Sequence, residues 1–501
     1  MDTEVELKLT VSPQAVGKLK KHPIIAENIA NIQTHHLRNW YYDTSSFSLS
    51  EHRLAIRIRE SGSRFIQTVK TAGSSSGGLH ERQEFEADVK YPELEIDKVS
   101  SSEIRGLLSA LSSELRVVFT TDFTRETLDI PFQSSLIEMA IDQGQVEAKK
   151  RSWPISEIEL ELKRGDPQDI FALAKELAGK VPLQIHEITK AGRGYQLARG
   201  TEAPIAVSLP QGDTLVLDAF RAIISNQLSQ LLACVANWQE AQSQTTFVEL
   251  IRSFVTIKDL LWMFKSAVSR SASTEIRSQL MDVYEQLEPL DEQCRYGLWL
   301  SELEKLRLGD LDSQQTLLAW AKSYKHIKSW DTLIPEINDI VFGVQMGQML
   351  ISLSEWVYLQ PWRGDESSRL KKRSKRSLAA FLAHWFEEHW LDVEQNVRDI
   401  KQDEGGWQGP QQRIERLIRL TLYWQQFYKE KKVRRFLAPW HDLVAGADEL
   451  NRLKWLAHKV DKLPQNEQGE VLDWLGNERG ACVMAITQTL EGLNRLKPFW
   501  G

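Results

Sequence analysis

Cysteine is scarce in this sequence, and a long apolar run is absent. Only three of the 501 residues are cysteines, namely Cys234, Cys294 and Cys482. Their odd number and wide separation fit neither a disulfide framework nor a CxxC metal site. No stretch approaches the ~18–20 apolar residues of a membrane span, and the N-terminal MDTEVELKLT has acidic residues where a secretory signal needs basic and then apolar ones. We therefore expect a cytoplasmic protein with no membrane partner.

Several catalytic and binding motifs are also missing. The 11 histidines include no HExxH pair and no Cys/His spacing typical of zinc sites. The GSSSGG segment at 73–78 lacks the GK[ST] ending of a phosphate-binding P-loop, and we interpret it as a loop between strands. With 62 Lys and Arg against 69 Asp and Glu, the net charge of −7 argues against nucleic acid as a partner. Any polyanion would have to bind at a local basic site.

The two parts of the chain have different sequence patterns. Of the 17 tryptophans, only Trp40 and Trp153 precede residue 200. Short runs of alternating polarity, typical of strands, dominate this first part, whereas the remainder shows the apolar spacing of long amphipathic helices. The segment RGTEAPIAVSLPQGD at 199–213 contains two prolines and two glycines, which indicates a linker. We predict two domains, residues 1–203 and 214–501.

Charged residues occupy every second position in several of the predicted strands. EVELKL at 4–9 and EIELELK at 157–163 carry rows of carboxylates, and LAIRIR at 54–59 carries Arg57 and Arg59. A solvated outer face over an apolar core is one explanation. Carboxylates and guanidiniums on separate strands also suit a closed antiparallel barrel whose charged faces turn inward. Its ligand would be a phosphate compound with a divalent cation, since carboxylates bind Mg²⁺ or Mn²⁺ and Arg and Lys bind phosphate oxygens.

A series of motifs extends along the first part of the chain in an order typical of one family. Glu4-Val5-Glu6-Leu7-Lys8 forms an ExExK signature. The motifs that follow are NWYYDT (39–44), LAIRIRE (54–60), TVKTAG (68–73), GGLHERQEFE (77–86), TDFTRE (121–126), AIDQGQV (140–146), EIELELKRGD (157–166) and ITKAGRGYQLA (188–198). With these motifs the chain resembles the CYTH superfamily, whose fold is the triphosphate tunnel, and in particular the bacterial inorganic triphosphatases in which a CHAD domain follows the CYTH domain.

The resemblance implies an α+β protein. Its N-terminal part would be an eight-stranded antiparallel β-barrel with a charged tunnel, followed by an all-α helical bundle. The implied activity is hydrolysis of tripolyphosphate to phosphate and pyrophosphate with Mg²⁺ or Mn²⁺ as cofactor. Two alternatives stay open: another triphosphate chemistry of the same fold, as in adenylate cyclases or thiamine triphosphatases, and a non-enzymatic polyphosphate-binding protein.

The resemblance also implies roles for individual residues. The implied metal ligands are Glu4, Glu6, Glu159 and Glu161. The implied catalytic group is Glu157, as a further metal ligand or as the group that orients the attacking water, together with Lys8, Arg57 and Arg59. The implied phosphate-binding positions are Lys8, Arg57, Arg59, Lys70, Arg82, Arg125, Lys190 and Arg193. Glu84 and Asp142 would orient these cations.

The helical part resembles a CHAD domain, a module many of whose members bind polyphosphate through basic, histidine-containing surfaces. Here the family's leading histidine position is Glu249, and its basic continuation is replaced by Lys258, Asp259 and Trp262. Because a carboxylate repels phosphate, we expect this half to bind polyphosphate weakly, and a protein partner is the alternative. The basic run RLKKRSKR at 369–376 is interpreted as a solvated loop or as a site for polyphosphate or an acidic partner.

Overall fold

Strands dominate the first part of the chain and helices the second. The computed structural model describes residues 4–71, 74–76, 79–82, 84–200, 209–303, 328–364, 375–398, 407–457, 460, 465–493 and 495–500. The strands are β1 (Glu4–Val11), β2 (Gln33–Asp43), β3 (Ala55–Ser61), β4 (Arg64–Lys70), β5 (Ser74–Ser76), β6 (Leu79–Arg82), β7 (Glu84–Val89), β8 (Arg116–Phe132), β9 (Ser135–Ala148), β10 (Arg151–Arg164) and β11 (Leu183–Ile185).

The helices divide into a short set within the first part and a long set in the second. The short set is α1 (Pro13–Lys20), α2 (Pro23–Ala26), α3 (Ser48–Glu51), α4 (Ser102–Leu111), α5 (Pro167–Ala178) and α6 (Lys190–Arg199). The long set is α7 (Val216–Glu240), α8 (Gln244–Met263), α9 (Arg270–Leu303), α10 (Trp330–Val341), α11 (Val344–Leu359), α12 (Leu378–Arg398), α13 (Gln408–Tyr423), α14 (Glu430–Ala457) and α15 (Gln465–Leu493). Short 3₁₀ turns lie at Ile29–Asn31, Ile96–Lys98, Phe264–Ser266, Pro361–Gly364 and Gln425–Phe427.

The predicted order of an antiparallel sheet followed by helices is confirmed, but the predicted eight-stranded closed barrel is wrong. The described strands form one 11-stranded sheet in the order β5-β6-β1-β10-β9-β8-β2-β3-β4-β7, with β11 paired to β1. The three additional strands have local causes. Ser74–Ser76, inside the segment predicted as a loop, pairs with β6, and Leu183–Ile185 adds a short strand along β1. The segment GGLHERQEFE contributes two strands, β6 and β7, which pair with β1 and β4.

The chain itself connects the two ends of this open sheet. β6 pairs with β1 near one end of the strand order, and β7 pairs with β4 at the other end. Only residue 83 separates β6 from β7 in the sequence. Among the described residues the sheet is therefore open. A junction of one residue connects β6, which lies next to one edge strand, with β7, which is the other edge strand.

Both faces of the sheet are buried where β1 lies beside β10. Leu7 and Leu160 have no exposed surface and belong to a core that includes side chains of α5. The alternate positions form the opposite face, which we call the charged face, and there Glu6 and Lys8 are only 6% exposed. The alternation in the sequence thus reflects two buried faces of different polarity. A solvated outer face, the first explanation of the pattern, is wrong for these strands.

One apolar core extends through both parts of the chain. Phe171 on α5 is fully buried, and its ring centroid lies 5.8 Å from that of Tyr358 on α11. Met346 and Leu350 on α11 belong to the same cluster of buried side chains as Leu7 on β1. The helices therefore cover the outer face of the strands that carry Glu6 and Lys8 on their charged face.

No single helix of the described ranges is long and apolar enough to cross a membrane. Trp330–Val341 and Val344–Leu359 reach that length and composition only when taken together, and they are bent by 49° at the break between them.

Replacement of Phe171 by alanine tests whether the two parts share their stability. Truncation of a buried phenylalanine costs about 3–5 kcal/mol of unfolding free energy. Since only Trp40 and Trp153 of the 17 tryptophans precede residue 200, tryptophan fluorescence reports mainly on the helical part. We expect Phe171→Ala to lower the urea midpoint of the fluorescence transition, and Phe171→Leu to lower it less. A fluorescence midpoint equal to that of the wild type in Phe171→Ala would contradict a shared core.

Candidate active site

Three adjacent strands place three carboxylates together on the charged face. Glu157 on β10 lies directly opposite Asp142 on β9, and Glu159 lies opposite Lys8 on β1. One carboxylate oxygen from each of Asp142, Glu157 and Glu159 lies within 4.8 Å of the other two. We call these three residues the carboxylate cluster. Its members are side chains two residues apart on one strand and their cross-strand neighbour, as the pleat of an antiparallel sheet requires.

Two cations from α6 contact the carboxylate cluster. Thr189 caps this helix by accepting a hydrogen bond from the Gly192 N–H at 3.1 Å. Lys190 Nζ lies 2.6 Å from Asp142 Oδ2 and 2.9 Å from Glu159 Oε1, and it also contacts Glu157. Arg193, one turn later, pairs with Glu157 as well. Lys190 and Arg193, at the N-terminal end of α6, therefore neutralise much of the charge of the cluster.

Gly194 allows α6 to lie this close to the sheet. A Cβ atom at Gly194 would lie 2.1 Å from the ring of Phe119 on β8, a distance that no side chain could tolerate. The ring of Tyr195 packs edge-on against the same Phe119 at 5.0 Å. Close backbone approach is a common use of glycine, and here it places the first turn of α6 above the cluster.

Two further cations approach the carboxylate cluster from the sheet itself. Arg125 donates two hydrogen bonds to Asp142, from Nε at 2.8 Å and from Nη2 at 2.6 Å, and it also donates to Glu159. Lys8 lies 3.0 Å from Glu6 and contacts Glu159. Bidentate, charge-assisted pairs of this kind fix the geometry of both partners. The cluster and its cations form one buried network of ion pairs.

This network shifts the pKa values of Glu157, Glu159 and Lys8 in favour of their charged forms. Burial would raise the pKa of the Glu157 carboxyl, but Lys190 and Arg193 lower it to about 2. Burial acts likewise on Glu159, yet Lys190 and Lys8 hold its pKa well below the usual range. Burial opposes the ammonium form of Lys8, whose pKa is nevertheless raised by Glu159 and Glu6. Glu157 and Glu159 are therefore ionised at neutral pH and are poor proton acceptors.

Arg57 and Arg59 on β3 face the network without carboxylate partners of their own in the described part of the chain. Arg57 Nη1 donates a long hydrogen bond of 3.5 Å to the Tyr41 hydroxyl, and its buried Nε has no partner. Arg59 Nε donates to Asn39 Oδ1 at 3.1 Å. Burial and the positive charges of Arg57 and Arg125 lower the pKa of Arg59 to about 10. Two neighbouring guanidinium groups that form no carboxylate ion pair, one of them with an unused N–H group, suit an anionic ligand.

Asn39 and Thr121 support Arg59, and the sequence analysis did not identify either residue. The Asn39 side-chain amide donates to the Thr121 hydroxyl at 2.8 Å, which fixes the amide oxygen toward Arg59. Both residues are almost fully buried. The NWYYDT motif contained one usable signal, because Asn39 and Tyr41 share a face with the cross-strand partners Arg59 and Arg57.

The structure brings most of the predicted site residues together. Those in the network or facing it are Glu6, Lys8, Arg57, Arg59, Arg125, Asp142, Glu157, Glu159, Lys190 and Arg193. Lys70 and Glu84 are cross-strand partners on β4 and β7, and they form an ion pair with each other. Glu161 pairs with Lys163 at 2.9 Å instead of joining the carboxylate cluster. The side chains of Glu4 and Arg82 lie outside the described part of the structure.

The residues singled out in the helical part lie elsewhere. Asp259 is 1% exposed and accepts from Arg416 at 3.0 Å and from Arg419 at 2.9 Å, so it is a buried ion-pair partner and not an exposed acid. Glu249 is exposed on α8. Positions 369–374 of the basic run lie outside the described residues. Weak polyphosphate binding by this half stays a prediction.

The strand-rich part of the chain matches a known domain family. Residues 2–195 match the CYTH domain, which confirms the predicted resemblance. Over 197 residues the chain is 36% identical to the protein named inorganic triphosphatase from Haemophilus influenzae. The alignment covers 39% of this chain and 54% of that protein, so the chain matches about half the length of its curated relative.

Two solved structures are also similar to parts of the chain. A CHAD domain from the plant Ricinus communis matches with a TM-score of 0.41 and 12% identity, over 58% of this chain and 96% of that domain. HpAC1 from Hippeastrum, for which a dominant triphosphatase activity is described, matches with a TM-score of 0.30 and 17% identity, over 40% of this chain and 98% of that protein.

The pH dependence of stability tests the ion pairs of Glu157. Its folded pKa of about 2 lies below the ordinary value, so its stabilising effect is complete above pH ~4.3 and is lost as the pH falls toward 2. We expect Glu157→Gln to lower the unfolding free energy by about 3 kcal/mol at pH 6, and the difference from wild type to shrink toward pH 2.5. Urea unfolding at both pH values measures this effect. Glu103→Gln, at an exposed site on α4, is the control, and a pH-independent difference would contradict these ion pairs.

Proposed function

We propose that this protein is a metal-dependent inorganic triphosphatase that hydrolyses tripolyphosphate to phosphate and pyrophosphate at the charged face. One observation carries the proposal: a cluster of two buried carboxylates and one half-buried carboxylate lies on the same face as Arg57 and Arg59, which form no ion pair with a carboxylate in the described residues. A substrate for this face must combine high negative charge with a capacity to bind metal. Tripolyphosphate has both properties, and the name of the Haemophilus influenzae relative supports this choice.

Arg57 and Arg59 would bind the phosphate groups. Guanidinium groups donate paired hydrogen bonds to phosphate oxygens and stay charged when buried. The resemblance also implies phosphate contacts for Lys8, Lys70, Arg82, Arg125, Lys190 and Arg193. Of these, Lys8, Arg125, Lys190 and Arg193 contact members of the carboxylate cluster in the structure. We therefore assign them a further role, which is to hold the carboxylate cluster in place while substrate binds.

The carboxylate cluster fits a divalent cation such as Mg²⁺ or Mn²⁺. Asp142, Glu157 and Glu159 offer hard carboxylate oxygen atoms close together, which are the ligands that these ions prefer. Glu159 belongs both to this cluster and to the ligand set implied by the resemblance, Glu4, Glu6, Glu159 and Glu161. When bound, the metal would neutralise charge on the phosphate oxygens. The donor set does not distinguish Mg²⁺ from Mn²⁺.

Hydrolysis at this site requires positioning and charge stabilisation more than a strong base. Phosphoryl transfer passes through a loose transition state in which little proton abstraction is needed. With a pKa of about 2, Glu157 is a poor base but a good hydrogen-bond acceptor. We therefore assign Glu157 the task of orienting the attacking water. Arg57 and Arg59 would stabilise charge on the reacting and leaving phosphate groups.

We also propose a division of labour along the chain. Residues 1–203 would form the catalytic domain, and residues 214–501 a helical domain that binds polyphosphate weakly or binds a protein. The burial of Asp259 between two arginines supports the weak binding, because it consumes two cations that could otherwise contact phosphate.

A phosphate-release panel tests the substrate and metal assignments. It compares tripolyphosphate, ATP, thiamine triphosphate and long polyphosphate, each with Mg²⁺, Mn²⁺ or EDTA. We expect tripolyphosphate with Mg²⁺ or Mn²⁺ to give the highest rate and EDTA to abolish it. Equal rates with ATP and tripolyphosphate would contradict the inorganic substrate. Undiminished hydrolysis in EDTA would contradict metal dependence.

Glu159→Gln tests the role of the carboxylate cluster. The amide keeps the volume of the side chain but removes its charge, so we expect kcat for tripolyphosphate to fall more than tenfold at saturating Mg²⁺. Glu147→Gln, at an exposed position of the neighbouring strand β9, should keep wild-type activity. Activity of Glu159→Gln above one tenth of the wild type would show that Glu159 is not a metal ligand.

Arg59→Ala and Asn39→Ala test the arginines and their support. Loss of the guanidinium should cost roughly 2–4 kcal/mol in kcat/KM for tripolyphosphate. Asn39→Ala keeps the guanidinium but removes the hydrogen bond that orients it, so we expect a smaller loss of about 1 kcal/mol. An Asn39→Ala enzyme as impaired as Arg59→Ala would indicate that Asn39 itself contacts substrate.

A further inference from the structure

One short segment connects the helical part of the chain with the charged face. β11 pairs with β1 through Leu183 opposite Val11 and Ile185 opposite Leu9. β1 also carries Glu6 and Lys8 of the charged face. A few residues later, α6 begins and its first turn presents Lys190 to the carboxylate cluster. The segment from 183 to 199 thus contributes both a neighbour of β1 and two cations of the site.

Helix α11 of the helical part lies directly on β11. A Cβ atom at Gly347 would lie 2.0 Å from the carbonyl oxygen of Leu183, so only glycine permits the observed backbone contact. The Gln184 side chain donates a long hydrogen bond of 3.4 Å to the Gly343 carbonyl at the start of the same helix. Leu183 has no exposed surface. The position of β11 against β1 is therefore fixed from the helical side.

Helix α7 contacts the connection between β11 and α6. Ser229 on α7 donates a hydrogen bond of 3.0 Å to the carboxylate of Glu187. One residue earlier, the His186 N–H donates to the Lys8 carbonyl at 3.0 Å and extends the pairing with β1. Lys190, three residues after Glu187, reaches the carboxylate cluster. The helical part thus contacts this segment both at β11 and just before α6.

We propose that the helical part is a positioning element for the charged face. Through Gly347 and Ser229 it fixes the segment 183–199, and thereby the places at which Lys190 and Arg193 meet the carboxylates. Gly347 and Ser229 are positioning residues, because each acts through backbone or side chains of the segment and not on substrate. The positioning role rests on the proposed function only where KM for tripolyphosphate is used as its readout.

The ion pairs of Lys190 and Arg193 tolerate little displacement of α6. Lys190 and Arg193 make hydrogen-bonded contacts whose energy falls steeply when donor and acceptor move apart. A displacement of α6 by ~1 Å would therefore disturb several contacts of the site at once. Ser229→Ala removes one hydrogen bond outside the charged face, while the charged residues keep their chemical identity.

The first test uses Ser229→Ala and Ser229→Thr in the full-length protein. We expect Ser229→Ala to raise KM for tripolyphosphate at least threefold, with kcat within twofold and the melting temperature within 2 °C of the wild type. Amide hydrogen exchange in peptides covering 186–193 should become at least threefold faster. Ser229→Thr keeps a hydroxyl donor and should restore both values. Unchanged KM and unchanged exchange in Ser229→Ala would overturn the proposal.

The second test uses two glycines of the same interface. Gly347→Ala forces α11 away from β11, so exchange should accelerate from 183 through 193 and KM should rise at least fivefold. Gly179→Ala is the matched control, since its Cβ would lie 3.3 Å from the flexible Gln348 amide and at ordinary contact distance, 3.4 and 3.5 Å, from the carbonyl oxygens of Glu176 and Lys175. Equal effects of the two substitutions would overturn the assignment to β11. If Gly347→Ala does not fold, the Ser229 pair decides the question.

The exchange measurement separates this proposal from the proposed function. A wild-type protein that fails to hydrolyse tripolyphosphate would contradict the triphosphatase assignment, yet faster exchange at 186–193 in Ser229→Ala would still support the positioning role. Active wild-type protein with identical kinetics and exchange in both Ser229 variants would leave the triphosphatase standing and overturn the positioning role.

Discussion

The ion pairs between β10 and α6 are the interaction on which the charged face depends. Glu157 and Glu159 lie on a sheet covered on both sides, where an unpaired carboxylate would be costly to bury. Lys190 and Arg193 supply the opposite charges from a helix that crosses the same face. The helix can approach the sheet this closely only because Gly194 lies against the ring of Phe119. The packing at Gly194 therefore determines where the charges of the helix meet those of the sheet. Moving the helix would leave charges of both signs buried without partners.

The strands connect this network to the rest of the molecule. Along β1, Leu7 enters the apolar core shared with the helices, while Glu6 and Lys8 on the alternate positions enter the charged face. The same backbone therefore carries a core contact on one side and a site residue on the other. In the proposed positioning role, a change in helix packing would reach the charged face through the hydrogen-bonded strand β1.

The sequence predicts those features that depend on local periodicity. A strand repeats every two residues, so Glu157 and Glu159 must share a face wherever the strand lies. Partners from distant segments are not encoded in this way. Asn39 and Thr121 are neutral and look like ordinary strand residues until their cross-strand contact orients an arginine. Asp259 looks like a surface acid, yet it is buried because an arginine 157 residues further along the chain pairs with it.

The junction between β6 and β7 limits how the length of the chain can change at this point. The two strands are separated by one residue and pair with opposite ends of the sheet, Arg82 opposite Glu4 and Glu84 opposite Lys70. Since successive side chains point to opposite faces, an insertion of one residue would reverse the facing of one strand, whereas an insertion of two would preserve it. Changes in chain length at this junction are therefore constrained by parity.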